Sequence, residues 1–484
     1  MGGMKWLIVS LALFGAVSLP AAEKSNPHVV LILLDDMGFG DPGCYNAQSR
    51  IETPNLDRLA REGLRFTDMH ASGPLCHVSR FGLMTGMYPF RGESHKWAQK
   101  ATIPANQRTL PGMLRGRGYH TAMVGKWHLG FNEAEGYTKP LRGGPVDRGF
   151  EIFFGIRAST DIPPYFYIRG NHAVQPPTVP IAASASEGWS PIQGAFWREG
   201  LIAPDLKLEE VLPRFTEEAL KVIHHHDTMP GDKKPLFLYL AYPAPHTPWL
   251  PSPEFRGRSK AGMYGDFASM VDAEVGKVLA ALEATKMLDE TLLLLSSDNG
   301  PVWYEADVER LGHDAAGPWR GMKADAWEAG HRMPFIARWP GHVKSGTESG
   351  QMLSFVDVMA TLAELTGAEL GAHDAPDSFS FFKVLTGQQP ESEPVRQSLL
   401  LESGGGTMML RQGNWKYLDR LGSGGFSEPR KVKPEPGGPE GQLYDLAADP
   451  GEQTNLWLTD PERVEQMRKQ LSRLVAMPGT RPQP

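Results

Sequence analysis

Val29-Val30-Leu31-Ile32-Leu33-Leu34-Asp35-Asp36 decides the architecture of this chain. Six apolar residues follow one another without alternation, as in a strand buried on both faces, and two aspartates stand where the strand ends. Similar short apolar runs recur at 121–124, 236–241, 292–296 and 335–337. Helical patterns lie between them at 54–62, with Asn55 and Asp57 near its start, at 110–117 and at 264–282. This alternation predicts an α/β fold: a mostly parallel sheet flanked by helices. Asp35, Asp36 and Asp298 all fall at strand ends, and open α/β sheets bind ligands outside the carboxyl ends of their strands.

Residues 140–210 are rich in Gly, Pro and aromatics without a period, and read as loops covering the site. After a helix at 357–365 the pattern changes near residue 390. Segments 399–402, 408–411 and 415–417 read as short antiparallel strands, and 461–475 as a closing helix. The Gly/Pro/Lys-rich stretch 423–438 is expected to be mobile. The chain thus divides into a signal peptide at 1–22, a catalytic domain at 23–388 and a C-terminal α+β subdomain at 389–484.

The 484 residues are ample for a large core. A net charge of −7 and the lack of any Lys/Arg-rich run argue against nucleic-acid binding. Lys5, the apolar run 6–19 and Pro20-Ala21-Ala22 form a signal-peptide pattern, so a secreted or periplasmic protein is expected. No later run approaches the ~18 apolar residues of a spanning helix, so no stable membrane insertion is expected. The two cysteines, Cys44 and Cys76, can form at most one disulfide.

Cys76-His77-Val78-Ser79-Arg80, with Thr85-Gly86 downstream, resembles the signature of the sulfatase family, in which Val78 stands where proline is usual. The resemblance extends to Asp35-Asp36, to Gly125-Lys126-Trp127-His128-Leu129-Gly130, to Pro245-His246-Thr247-Pro248, and to Ser297-Asp298-Asn299-Gly300. It also takes in Trp319-Arg320-Gly321-Met322-Lys323 and Trp327-Glu328-Ala329-Gly330-His331, where Ala329 replaces a usual glycine. The arylsulfatase and N-acetylgalactosamine-6-sulfatase branch looks closest.

The resemblance implies an alkaline-phosphatase-like fold and hydrolysis of a sulfated carbohydrate or aryl sulfate. It implies conversion of Cys76 to Cα-formylglycine by a formylglycine-generating maturation enzyme, which would leave Cys44 unpaired. A geminal diol there can attack sulfur with one hydroxyl and expel sulfate with the other, whereas serine would form a stable ester. The implied metal ligands are Asp35, Asp36, Asp298, Asn299 and an oxygen of modified Cys76. All are hard oxygen donors, suited to Ca²⁺ ahead of Mg²⁺.

The implied catalytic set is Cys76, Arg80, Lys126, His128, His246 and Lys323. Arg80 would fix the diol, and Lys126 and Lys323 would neutralise sulfate oxygens. His128 would take a proton during sulfate expulsion, and His246 with Lys323 would protonate the leaving oxygen. Ser159 and Asp161 resemble a more variable substrate-contact segment. Two other readings stay open: a phosphate or phosphonate ester hydrolase on the same scaffold, and an unmodified, non-catalytic carbohydrate-binding relative. His224-His225-His226 is expected to be a polar helix end, because adjacent helical side chains point apart.

Overall fold

The computed structural model describes residues 26–231 and 234–482, together with Met1. The signal-peptide expectation falls outside the described residues.

The run at 29–34 lies in strand β1 (His28–Asp35), at the centre of an eleven-stranded sheet. The other principal strands are β2 (Leu64–His70), β3 (His120–Lys126), β4 (Ile152–Ile156), β5 (Leu236–Pro245), β6 (Thr291–Ser297) and β7 (Arg332–Arg338). In space the central order is β2-β7-β6-β1-β5-β3-β4. From β6 to β4 every neighbour is parallel. The sheet is thus mostly parallel, as expected, and on one side β7 runs antiparallel to both β6 and β2. Every residue of β5 and β6 is buried, which is why these strands read as unbroken apolar runs.

Helices α1 (Pro54–Glu62), α2 (Cys76–Thr85), α3 (Leu110–Gly116), α4 (Val211–Thr228), α5 (Gly262–Ala284) and α6 (Asp357–Thr366) flank this sheet. The segment 140–210 is not purely loop. It contributes β4, and the pairs Ile168–Arg169 with His172–Ala173 and Val179–Ile181 with Gly200–Ile202.

A second antiparallel sheet is formed by β8 (Leu399–Glu402), β9 (Met408–Gln412), β10 (Trp415–Leu418) and β11 (Gln442–Asp445), with α7 (Pro461–Ala476) packed on it. Its core is not separate from the rest of the chain. Leu400, Leu410 and Leu443 share one apolar cluster with Tyr88, Trp327 and Val356.

Two buried polar assemblies bind the C-terminal part to the large sheet. Arg396 bonds Asp357, Tyr88 Oη and the Asp377 carbonyl, all buried. Arg411 grips Asp68 with two N–H groups at 2.7 and 2.9 Å and reaches Glu328 at 3.2 Å. Lys416 bridges Glu328 at 3.0 Å and Glu452 at 2.8 Å. Removing one partner of a buried ion pair leaves an uncompensated charge. Arg396→Ala should therefore cost about 3–5 kcal/mol of stability, read as a lower denaturant midpoint at unchanged slope. A cost below about 1 kcal/mol would show that Asp357 is otherwise satisfied.

The stretch expected to be mobile is held down where it meets the large domain. Asp325 accepts hydrogen bonds from the Phe426 and Ser427 N–H groups at 2.7 and 3.1 Å. Ser423 and Gly424 donate to the Pro429 and Arg430 carbonyls. Backbone–carboxylate bonds of this kind carry no compositional trace, and only 428–437 is largely exposed. His224 and His225 are exposed, whereas His226 is buried with its ring 5.2 Å from His28 and 5.9 Å from His120. The three histidines do not converge.

Candidate active site

Strand ends deliver most of the site. β1 ends at Asp35, and Asp36 turns away with φ +66°, a left-handed conformation uncommon outside glycine. Asp298 extends β6 by one more bond, its N–H donating to the Leu34 carbonyl at 3.0 Å. Lys126 closes β3 and His246 directly follows β5. Just before Lys126, Gly125 sits at φ +118°, where a Cβ would lie 1.9 Å from the Ala241 carbonyl oxygen. Only glycine lets β3 and β5 approach that closely.

Cys76 opens α2, whose first N–H groups and dipole favour an anion. Its Sγ lies 3.4 Å from Asp35 Oδ1 and 3.3 Å from Lys323 Nζ. Lys323 comes from a loop anchored on both sides: its N–H donates to the Pro301 carbonyl, and that of Ala324 to the Pro74 carbonyl. Cys76 and Cys44 are both free thiols, so no disulfide competes for this position.

Three carboxylates and three cations interlock beneath the thiol. Lys126 bonds Asp35, and Lys323 bonds Asp36 at 2.6 Å. Arg80 bonds Asp298 through Nε at 2.9 Å, Asp35 at 3.3 Å and the Lys126 carbonyl at 2.7 Å. The guanidinium is thus committed to the carboxylates, and no hydrogen bond joins it to Cys76.

Burial works against the Asp35 charge, yet Lys126, His246, Arg80 and Lys323 outweigh it and hold the carboxyl well below its usual range. Burial first, then Asp298 and Asp35, push the Cys76 thiol far up, so the unmodified side chain is no thiolate nucleophile.

The donor set fits a hard cation. Asp35, Asp36, Cys76 and His246 each present an atom within 4.8 Å of the others. Asn299 Nδ2 donates to Asp36 Oδ1 at 2.6 Å, while the Asn299 Oδ1 is buried without a hydrogen-bond partner. An orphaned amide oxygen beside three carboxylates is the environment calcium or magnesium takes.

The two histidines have different partners. His246 Nδ1 lies 2.6 Å from the Thr247 carbonyl, an acceptor that assigns the proton to Nδ1. Its Nε2 is 3.7 Å from Asp36 Oδ2. His128, with φ +59°, is buried with neither ring nitrogen hydrogen-bonded. Trp97 stands edge-on to it at 4.2 Å and His77 lies at 5.6 Å. Burial, then Lys126 and His77, hold His128 far below the ordinary imidazole range, leaving a neutral ring able to accept a proton.

Ser159 Oγ and Asp161 Oδ1 are likewise buried without partners, and Asp161 Oδ1 is 4.0 Å from His246 Nδ1. Asp35, Asp36, Arg80, Lys126, Asp298, Asn299 and Lys323 thus form one bonded cluster at Cys76, with His246 beside Asp36 and Asp161 beside His246. Trp97 belongs to no motif and was not foreseen.

Such a cluster of buried carboxylates and cations, at the strand ends of an alkaline-phosphatase-like sheet, suits a hydrolase of anionic esters. The chain belongs to the sulfatase family, whose model matches residues 27–368, and it is a sulfuric ester hydrolase. An N-acetylgalactosamine-6-O-sulfatase of Bacteroides thetaiotaomicron is 32% identical over 487 residues, covering 93% of each chain. Human arylsulfatase A is 33% identical, covering 94% of this chain and 87% of its own. A solved structure concerned with glycosaminoglycan metabolism in B. thetaiotaomicron superposes with a TM-score of 0.82 at 30% identity, over 94% of this chain and 100% of its own. The branch expected from the motifs is the one these relatives represent. Among the described residues no helix is long and apolar enough to cross a membrane.

Proposed function

We propose that the chain removes sulfate from a sulfated hexosamine, N-acetylgalactosamine 6-sulfate being the first candidate from its relatives, and from aryl sulfates, using formylglycine at position 76 and a bound calcium ion. The observation that carries this reading is the Cys76 side chain at the first turn of α2, held between Asp35 at 3.4 Å and Lys323 at 3.3 Å.

Formylglycine, once formed, supplies a hydrated aldehyde with one hydroxyl for attack on sulfur and a second for release of sulfate. Asp35, Asp36, Asp298 and Asn299 would hold calcium, which supplies positive charge to sulfate oxygens. Lys126 and Lys323 reach the same point and neutralise charge on those oxygens. Arg80 keeps Asp35 and Asp298 oriented. His246, with Lys323 beside it, protonates the leaving oxygen. The free nitrogens of His128 accept the proton whose loss lets sulfate depart. Ser159 and Asp161 meet the substrate near His246. With this function go a signal peptide at 1–22, a catalytic part at 23–388, a C-terminal part at 389–484, and action outside the cytoplasm after maturation by a formylglycine-generating enzyme.

Mass spectrometry of the Cys76 peptide from the native host tests the reading: CH₂SH should have become CHO, reactive toward hydrazide probes, which thiol oxidation does not produce. Free thiol alone in active protein would contradict it. Val78 bears on the same result. It is the third residue of α2, ahead of the first helical bond from Ser79 N–H to the Leu75 carbonyl. Proline is accepted where the N–H has no helical partner. Val78→Pro should therefore fold normally and raise the converted fraction in a general expression host; an unchanged fraction would show that Val78 does not limit maturation.

A further inference from the structure

A cleft of about 340 Å³, within the usual size range of small-molecule sites, is lined by the residues on either side of Cys76 in the chain. One wall is the start of α2, where Leu75, His77 and Val78 line it, and the opposite wall is the turn that follows β8, from Glu402 to Gly406. His95 closes one end. The two walls are tied to the active site independently. Gly404 N–H donates to the carbonyl of Ala324 at 2.9 Å, the residue after Lys323. His77 is the neighbour of Cys76 and faces His128 across 5.6 Å.

The turn is shaped to leave room. A Cβ at Gly404 would stand 3.0 Å from Ala324 Cβ and 3.3 Å from Leu75 Cδ1, and Gly406 adopts φ +83°. Glu402 is the one carboxylate lining the cleft. It is exposed at the end of β8, and no hydrogen bond or ion pair engages its side chain among the described residues. The carboxylates of the catalytic cluster are each matched by Arg80, Lys126 or Lys323, whereas Glu402 brings a carboxylate with no such partner to the cleft wall.

We propose that this cleft holds the sugar ring of the sulfate ester, with Glu402 accepting hydrogen bonds from ring hydroxyls and repelling any second anionic substituent. The inference rests on the sulfated-sugar reading above and adds a rule for it: the ring beside the scissile sulfate is otherwise uncharged. A carboxylate accepts from two vicinal hydroxyls at once, and it lies too close to a second sulfate or a uronate to be neutral in its effect. His77 and His95 add N–H donors on the other side of the ring.

The test compares wild type with Glu402→Gln on 4-nitrophenyl sulfate, N-acetylgalactosamine 6-sulfate and N-acetylgalactosamine 4,6-disulfate. Glutamine keeps the size and removes the charge. The ratio of kcat/KM on the monosulfated sugar to that on the aryl ester should fall about tenfold, mainly through KM, as for loss of a charged hydrogen bond. The preference for monosulfated over disulfated sugar should fall as well, as repulsion is lifted. Ratios that stay within about twofold overturn the subsite. So does a wild-type enzyme that cleaves the aryl ester but neither sugar, and in both cases the sulfatase chemistry still stands. Failure on all three esters by protein carrying formylglycine overturns the functional reading and the subsite together.

Discussion

Asp298→Asn should abolish sulfate-ester hydrolysis in a protein that still folds. The carboxylate lies one residue past β6, fully buried, bonded to Arg80 and accepting the Asp36 N–H at 3.4 Å. Asparagine preserves its volume and one oxygen, so packing is little disturbed. What changes is charge: two carboxylates remain at the cradle instead of three. Calcium affinity should fall more than tenfold, each decade being about 1.4 kcal/mol. Turnover should fall by ~10² or more, the scale seen when a preorganised electrostatic group is removed. Circular dichroism, bound-metal content and rate together check this. Near-normal turnover with normal ion content would show that Asp298 serves only to hold Arg80.

The second large effect separates the two histidines. His128→Ala should cleave one ester per chain and then stop, the protein retaining one SO₃ by mass. His246→Ala should slow the cleavage itself, and more for sugar sulfates than for activated aryl sulfates, because a good leaving group needs little protonation. General acid–base groups contribute ~10²–10⁴ in rate, enough to tell these patterns apart. The geometry favours this division. His246 Nε2 is 3.7 Å from Asp36, whereas His128 packs against Trp97 and His77 with both nitrogens free of hydrogen bonds. Retained SO₃ on the His246 variant and none on the His128 variant would reverse the roles.

What could be read in advance follows from the physics of burial. β1, β5 and β6 are buried on both faces, so their apolar runs stand out in the sequence, and the acidic residues at their ends mark where the ladder stops. β2 escaped notice because Arg65 and Thr67 are only partly buried near the sheet's margin, giving Leu-Arg-Phe-Thr-Asp-Met-His no clean apolar block. β4 was hidden because Ile152–Ile156 is short and lies in a Gly/Pro-rich region. The reversed direction of β7 is a property of chain connections, and no local pattern carries it. The catalytic residues were legible as motifs. Trp97 and Glu402 were not, since a side chain that merely lines a pocket imposes no spacing on its neighbours.

The Arg411 and Lys416 bonds to Asp68, Glu328 and Glu452 make the C-terminal sheet a structural debt of the catalytic half. Glu328 lies five residues beyond Lys323; Arg332 pairs with it from within the catalytic half, and Arg411 and Lys416 reach it from β9 and β10. A fragment ending near residue 388 would remove Arg411 and Lys416 and leave buried Asp68 and Glu328 to share Arg332. The division proposed near 388 is therefore no place to cut: the catalytic half lacks part of its buried charge network until the segment carrying β9 and β10 has docked.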